Sequence, residues 1–414
     1  MKTEIFQHPF DNGLVLVAEK MAGVQSAAFT LLVPAGVAYD PEGQDGSSAL
    51  LVDLVFRGAG ARDSRTLSAA IDDLGVQRGE GVHAAHSSFS GSTIARNLIP
   101  ALAIFADVLR RPHLPADQLD AARALAVQEL KALDDEPRQK VMVELRARHD
   151  PYPWGRCTLG TLESLTTLTI EQVAAQFRRS YHPGGAIFGV AGDIQWEPLL
   201  DKVGHLFADW RTQPAPVVTE RPPGPKLDHI PQDTTQTQIG IAYRSVPYAD
   251  PDYFLARAAV GVLSGGMSAR LFTELREKRG LCYSVYASYH TLKDRASIVC
   301  YAGTTNDRAQ ETLEVTLGEL RRLAEGITNE ELDRVKAGLK SSLIMQQESS
   351  GSRASAIAGD WYHLGRVRTL DEIHQAIDGL SADAIVEHLR RSPPADFTIL
   401  TLGPKPLETP RGIS

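Results

Sequence analysis

One short pattern occurs twice in this chain, and the distance between its copies limits what the chain can fold into. Asp117-Gln118-Leu119-Asp120-Ala121-Ala122-Arg123 is echoed by Glu330-Glu331-Leu332-Asp333-Arg334-Val335-Lys336, an offset of 213 residues (332 − 119). Between the copies, residues 213–226 hold five prolines and no periodicity, the composition of an extended, semi-rigid linker. Self-similarity across such a linker predicts two copies of one α+β module. The expected boundaries are 1–212 for the first module, 213–229 for the proline-rich linker, and 230–414 for the second. A chain of 414 residues also exceeds one ordinary domain.

Hydrophobic periodicity and breakers place the elements. In the first module, strands are expected at 13–18 and 27–33, with a loop containing Pro41, Gly43, Asp45 and Gly46. Ser47 or Ser48 is placed to cap the helix that follows. A second helix runs from about Ser64 to Leu74-Gly75, residues 76–94 are extended, and helices follow at 97–110, 115–134, 136–149 and 169–180. A strand at 186–192 and a helix at 196–209 complete the module. In the second, strands are expected at 236–245, 296–302 and 397–402. Helices are expected at 252–263, 307–323, 329–347, 350–362, 370–378 and 382–390.

Composition excludes several classes. The chain is 43% hydrophobic and 23% charged, as globular proteins are. Its net charge of −8, with no long Lys/Arg run, argues against nucleic acid or an anionic membrane as partner. Cys157, Cys282 and Cys300 are scattered and odd in number, so neither a disulfide framework nor a cysteine metal site is indicated. No stretch of 18 apolar residues occurs. Met1 to His8 carry neither an apolar h-region nor an Arg/Ser-rich leader, so the expected location is cytoplasmic.

The densest motif begins at Gly265-Gly266-Met267-Ser268-Ala269-Arg270-Leu271-Phe272 and runs on through Thr273-Glu274-Leu275-Arg276-Glu277-Lys278-Arg279-Gly280-Leu281-Cys282-Tyr283-Ser284-Val285-Tyr286. Leu271 and Leu275 lie one helical turn apart, and Gly280 can end the helix with positive φ. Strand alternation then puts Leu281, Tyr283, Val285 and Ala287 on one face. A helix Arg and a strand Tyr can so approach one cleft. There a guanidinium can hold a carbonyl or carboxylate, and a phenol can donate to an oxyanion. The bland alternative is a packed corner with a solvated Arg and a half-buried Tyr.

This block resembles the second half of the pitrilysin-type (M16) zinc peptidases, which reads close to GGxSSRLFxxLREKxGLxYSV. Pro151 to Gly160 likewise matches the family's HPLGRxxLG loop, and the resemblance extends across most of the chain. It implies an α+β fold of two homologous modules, each a mostly antiparallel sheet covered by helices, together forming half of a clamshell. It also implies that Arg276 and Tyr283 assist catalysis from the module opposite the metal.

The family's zinc motif, near GxxHFLEHMxFKGT, places two His at i and i+4 on one helix face with a Glu as general base. Here Phe56-Arg57-Gly58 sets the register, so the first His is Ala49, the base is Val52 and the second His is Asp53. The distal metal-binding Glu survives as Glu129, 76 residues after Asp53 (129 − 53). Asp53 with Glu129 leaves two carboxylates and no base, which does not make a zinc hydrolase. Val76 to Gly81 also depart from the family's Asn-Ala edge strand.

Other residues are weaker candidates. His83 and His86, read as strand residues i and i+3, face opposite sides and make no metal pair. His182 before Pro183 reads as a turn residue, and neither GxSxG nor GK[ST] is present.

Short-chain members of the family pair two subunits. The resemblance therefore implies that this chain binds no metal or other cofactor, with zinc in a homologous HxxEH-bearing partner of a heterodimer. It would supply Arg276 and Tyr283 in trans for hydrolysis of peptide substrates. Two alternatives are an inert scaffold homologue like the bc1 core proteins and a peptide-binding chamber protein. Keeping both Arg276 and Tyr283 favours the enzyme subunit.

Overall fold

The structure is a computed structural model that describes residues 4–214 and 216–408. In chain order the strands are β1 (Glu4–Pro9), β2 (Val15–Lys20), β3 (Ser26–Val33), β4 (Gly58–Ala59), β5 (Arg62–Asp63), β6 (Gln77–Val82) and β7 (Ser87–Ile94). After them come β8 (Ile187–Gly192), β9 (Leu227–Pro231), β10 (Gln236–Ser245), β11 (Cys282–Thr291), β12 (Ala296–Thr305) and β13 (Thr398–Gly403). Two compact units result. The first holds Met1–Ala132, Tyr152–Glu220 and Met345–Val367; the second holds Leu133–Pro151, Arg221–Ile344 and Arg368–Ser414.

The first unit is built on a sheet of order β1-β2-β8-β3-β7-β6, antiparallel except for the parallel pair β2/β8. Its central strands are covered on both faces, so they read as near-continuous apolar runs; every residue of β8 is buried. On one face Leu16, Phe29, Leu31 and Phe188 join the main core with Leu102, Phe105 and Leu109 of the helix Leu98–Arg110. The other face presents Val17, Ala28, Ile187 and Ala191 to Ala354, Ile357 and Ala358 of the helix Ser350–Leu364. That helix lies so close that a Cβ on Gly189 would stand 2.4 Å from Ala354 O, which leaves room only for glycine. Arg353 and Glu19 form a buried ion pair beneath it, with Arg353 Nε 2.9 Å from Glu19 Oε2.

The second unit has the sheet order β11-β12-β10-β13-β9, again antiparallel except for one parallel pair, β13/β9. Ile239, Ile241, Tyr243, Ile298 and Ile399 face its main core. Ala242, Val299, Tyr301, Leu400 and Leu402 face Val141 and Leu145 of the helix Pro137–His149. His149 Nδ1 lies 2.9 Å from Thr398 Oγ1, and Arg148 Nε donates to Asp228 Oδ2 at 2.7 Å.

The repeat is therefore one of topology. The orders β2-β8-β3-β7-β6 and β9-β13-β10-β12-β11 correspond strand for strand, parallel pair included; β1 has no counterpart among the described residues. The fold is α+β, with two homologous modules of mostly antiparallel sheet covered by helices.

The compact units do not follow the linear boundaries of 1–212 and 230–414. The helices Pro137–His149 and Ser350–Leu364 hold equivalent places in the repeat (350 − 137 = 213), and each belongs to the unit built mainly from the other half. Each follows a long helix, Leu119–Asp135 or Asn329–Gln347. At 1.5 Å per residue such a helix is roughly 25–30 Å long. The linker also ends earlier than 229, because Leu227 already pairs in β9 with β13.

Candidate functional site

In the second unit the helix Tyr253–Ser264 gives way at Gly265-Gly266 to a short helical segment. Leu271 and Leu275 are fully buried, as their spacing predicts. Over Phe272–Glu277 the segment widens to a π-helical turn, in which the Lys278 amide reaches Thr273 O at 2.9 Å. Such turns shift the side chains that follow by one position and recur at functional sites. Gly280, at φ 58°, closes the helix as expected, and the Leu281 amide bonds back to Leu275 O at 2.7 Å.

The chain then enters β11 with a bulge: Cys282 opposes Thr304 and Ser284 opposes Gly303, so Tyr283 is the extra residue. The expectation that Leu281, Tyr283, Val285 and Ala287 share one face is corrected at this point. Leu281 and Ala287 are buried, whereas Tyr283 is 78% exposed, because an inserted residue breaks the alternation. Arg276 and Tyr283 are brought together. The guanidinium carbon lies 4.7 Å from the centroid of Tyr283 and 4.7 Å from that of Phe272. Held between two rings, the guanidinium has no carboxylate partner among the described residues. Its N–H groups can receive a carbonyl or carboxylate, and the phenol beside it is free to donate. The neighbouring Cys282 is buried, and burial, partly offset by Arg276, pushes its thiol up to about 11, which disfavours the thiolate.

The zinc-motif positions lie on the helix Ser47–Leu54 of the first unit. Ala49 and Val52 offer no donor atoms. Asp53 is engaged by Arg57, whose Nε lies 2.6 Å from its Oδ2 and whose Nη1 donates to Gln118 Oε1 at 2.9 Å. Glu129 is exposed. Among the described residues no group of three or more His, Cys, Asp or Glu is placed to hold a metal. These residues do not fit zinc.

Neither Ser47 nor Ser48 caps that helix by its side chain, because both lie inside it. Asp40 does the work instead, accepting from the amides of Gly46 (3.0 Å) and Ser48 (3.1 Å) and from the Ser48 hydroxyl (2.5 Å). Burial pushes the Asp40 carboxyl up to about 6, against the opposing pull of these hydrogen bonds. Arg156, in the loop matched to HPLGRxxLG, ties Asp40 in place by donating to Val37 O (3.1 Å) and Asp40 O (2.6 Å). No local spacing rule links residue 40 to residue 48 or 156, so Asp40 escaped the sequence reading.

The histidines weighed as metal ligands or turn residues lie elsewhere. His83 and His86 lie in the turn between β6 and β7, not on a strand, and the His83 amide donates to His86 O at 2.8 Å. His86 packs edge-on against Tyr362. His182 lies in the bend that leads into the turn at 183–185, as expected, with its ring buried, and burial lowers its basicity.

Two copies of one helix-covered sheet, with the metal positions of the first replaced and an exposed Tyr283 against Arg276 in the second, define a two-module peptidase-like chain. Residues 15–151 match the family described as Insulinase (Peptidase family M16), and residues 167–339 match Peptidase M16 inactive domain. The chain belongs to the M16 peptidase family. An uncharacterized zinc protease of Rickettsia felis is 23% identical over 409 residues, covering 96% of this chain and 97% of its own. A Pseudomonas fluorescens structure described as a peptidase M16 inactive domain superposes with a TM-score of 0.88 at 21% identity, over 98% of this chain and 99% of that one. A chain of complex III2 from Candida albicans shares the fold at TM-score 0.80 and 18% identity, over 96% and 95% of the two chains. No described helix is long and apolar enough to cross a membrane.

Proposed function

We propose that this chain is the non-zinc-binding subunit of a two-subunit peptidase and lends Arg276 and Tyr283 to hydrolysis in a homologous partner. The observation that carries this reading is the pairing of an exposed phenol with an unpaired, ring-held guanidinium, in a chain whose own zinc positions are Ala49, Val52 and an Arg-bound Asp53. The partner, bearing HxxEH, supplies the metal and the general base. Tyr283 donates a hydrogen bond to the oxyanion that develops on the scissile carbonyl. Arg276 binds a neighbouring substrate carbonyl and orients the phenol through ring contact. Both act as preorganised donors that strengthen as charge develops, which is how such groups accelerate acyl transfer.

Tyr283→Phe tests this, since it removes only the hydroxyl and keeps the ring under Arg276. Turnover by the assembled complex at saturating peptide is expected to fall by roughly 10²–10³ in kcat, the usual worth of one oxyanion donor. Assembly, followed by size exclusion, should be unchanged. A complex that forms normally and cleaves at the wild-type rate would leave the inert scaffold as the better reading.

A further inference from the structure

β11 ends its sheet, so its outer edge is unpaired among the described residues. It is 10 residues long, CYSVYASYHT, with no charged residue and no proline. Those are the residues that usually guard an exposed edge against another strand. The equivalent edge in the first unit, β6, is 6 residues long, contains two glycines and carries Arg78 and Glu80 within 3.7 Å of each other. One edge is blunted and its counterpart is open.

Cationic groups flank the open edge on both faces. At its start Arg276 rests on Tyr283; Lys278 and Arg279 pair with Glu274 nearby, and Arg308 donates to Gly280 O at 2.6 Å. On the opposite face Arg138, from the helix Pro137–His149, lies 5.0 Å from the ring of Tyr286 and 5.2 Å from that of Tyr301. Neither Arg138 nor Arg276 has a carboxylate partner among the described residues. Two unneutralised guanidiniums in a chain of net charge −8 mark a local preference for anions.

We propose that β11 receives an extended acidic peptide as an added strand. Main-chain hydrogen bonds to the edge hold the peptide, and carboxylate side chains on its two faces reach Arg138 and Arg276. Successive strand residues point to opposite faces, so the two acidic positions are an odd number of residues apart. Such addition takes its affinity from the backbone and its specificity from alternate side chains. The Arg276 contact rests on the role proposed for that residue above; the open edge and Arg138 do not.

The test is fluorescence anisotropy of the full chain with labelled Val/Thr decapeptides. One carries two Glu three residues apart, one carries Lys at those positions, and one is the Glu peptide N-methylated on alternate amides. The Glu peptide is expected to bind at least about tenfold more tightly than the Lys peptide, and to weaken as salt screens the charges. N-methylation should abolish binding, and Arg138→Gln should remove most of the Glu-over-Lys preference. Equal affinity for Glu and Lys peptides, tolerance of N-methylation, an unchanged preference in Arg138→Gln, or no binding at all would each overturn the proposal. The anisotropy assay needs neither a partner nor turnover, whereas the effect of Tyr283→Phe is read in kcat of the assembled complex. The two readings therefore fail separately.

Discussion

At Tyr283 the strand β11 carries one residue more than its neighbour β12, and that residue is the one whose ring leaves the core for solvent. Regular alternation would have turned the ring inward beside Val285. A single inserted residue thus separates a packing side chain from one able to meet a ligand. Asp40 shows the converse, a charged residue kept inside for its hydrogen bonds. Its ordinary value of 3.8 rises to about 6 in the folded chain, because burial penalises the carboxylate. The folded state therefore holds this proton more tightly than the unfolded state between those values, and ionising Asp40 destabilises the fold as pH rises through them. The full cost, on the order of 3 kcal/mol, is present above about pH 6 and absent below about pH 4. Urea unfolding of Asp40→Asn against wild type should show the difference in stability shifting in favour of the variant by that order between pH 4 and 7. A difference independent of pH would refute the assignment.

The exchanged helices decide how the elements are held. The helix Ser350–Leu364 docks through small residues and a few polar bonds: Ser350 Oγ lies 3.1 Å from Ser26 Oγ, and Ser355 Oγ lies 2.9 Å from Thr30 Oγ1. With Arg353 and Glu19 both almost wholly buried, removing one partner strands a charge in the interior. Arg353→Ala is expected to cost about 3–5 kcal/mol, whereas replacing both residues by apolar ones of similar volume should recover most of that loss. Denaturant unfolding of the single and double variants checks this. A double variant as unstable as the single would show that packing, and not the stranded charge, sets the cost.

For the whole molecule, the two units repeat one strand order, and the exposed Tyr283 with Arg276 against its ring lies in the second. The first unit retains the helix of the metal motif as packing: Leu50, Leu51 and Leu54 are buried and Asp53 is tied to Arg57. The purified chain is accordingly expected to hold well under one equivalent of zinc and to leave unstructured peptides intact. Metal analysis and a chelator-controlled peptidase assay check both. Stoichiometric tightly bound zinc would overturn the assignment of Ala49, Val52 and Asp53 as a lost site.

Local signals carried much of this to the surface of the sequence. The 213-residue echo announced two modules, the central strands β3, β8, β10 and β13 were visible as apolar runs, and Gly280 marked a helix end through its need for positive φ. Residue identity alone determined that no imidazole stands at positions 49 and 53. What stayed hidden depends on partners distant in the chain. The strands β1 and β9 are short, partly exposed edges, and only pairing with β2 and β13 makes them strands. The placing of Pro137–His149 against β10 and β13, and of Ser350–Leu364 against β2, β3 and β8, rests on contacts far apart in the chain, which no local period encodes. The exposure of Tyr283 follows from a bulge whose register is set by β12. The residues and their periods were local properties; the faces they occupy were decided by tertiary contact, because burial is a property of the assembled sheet.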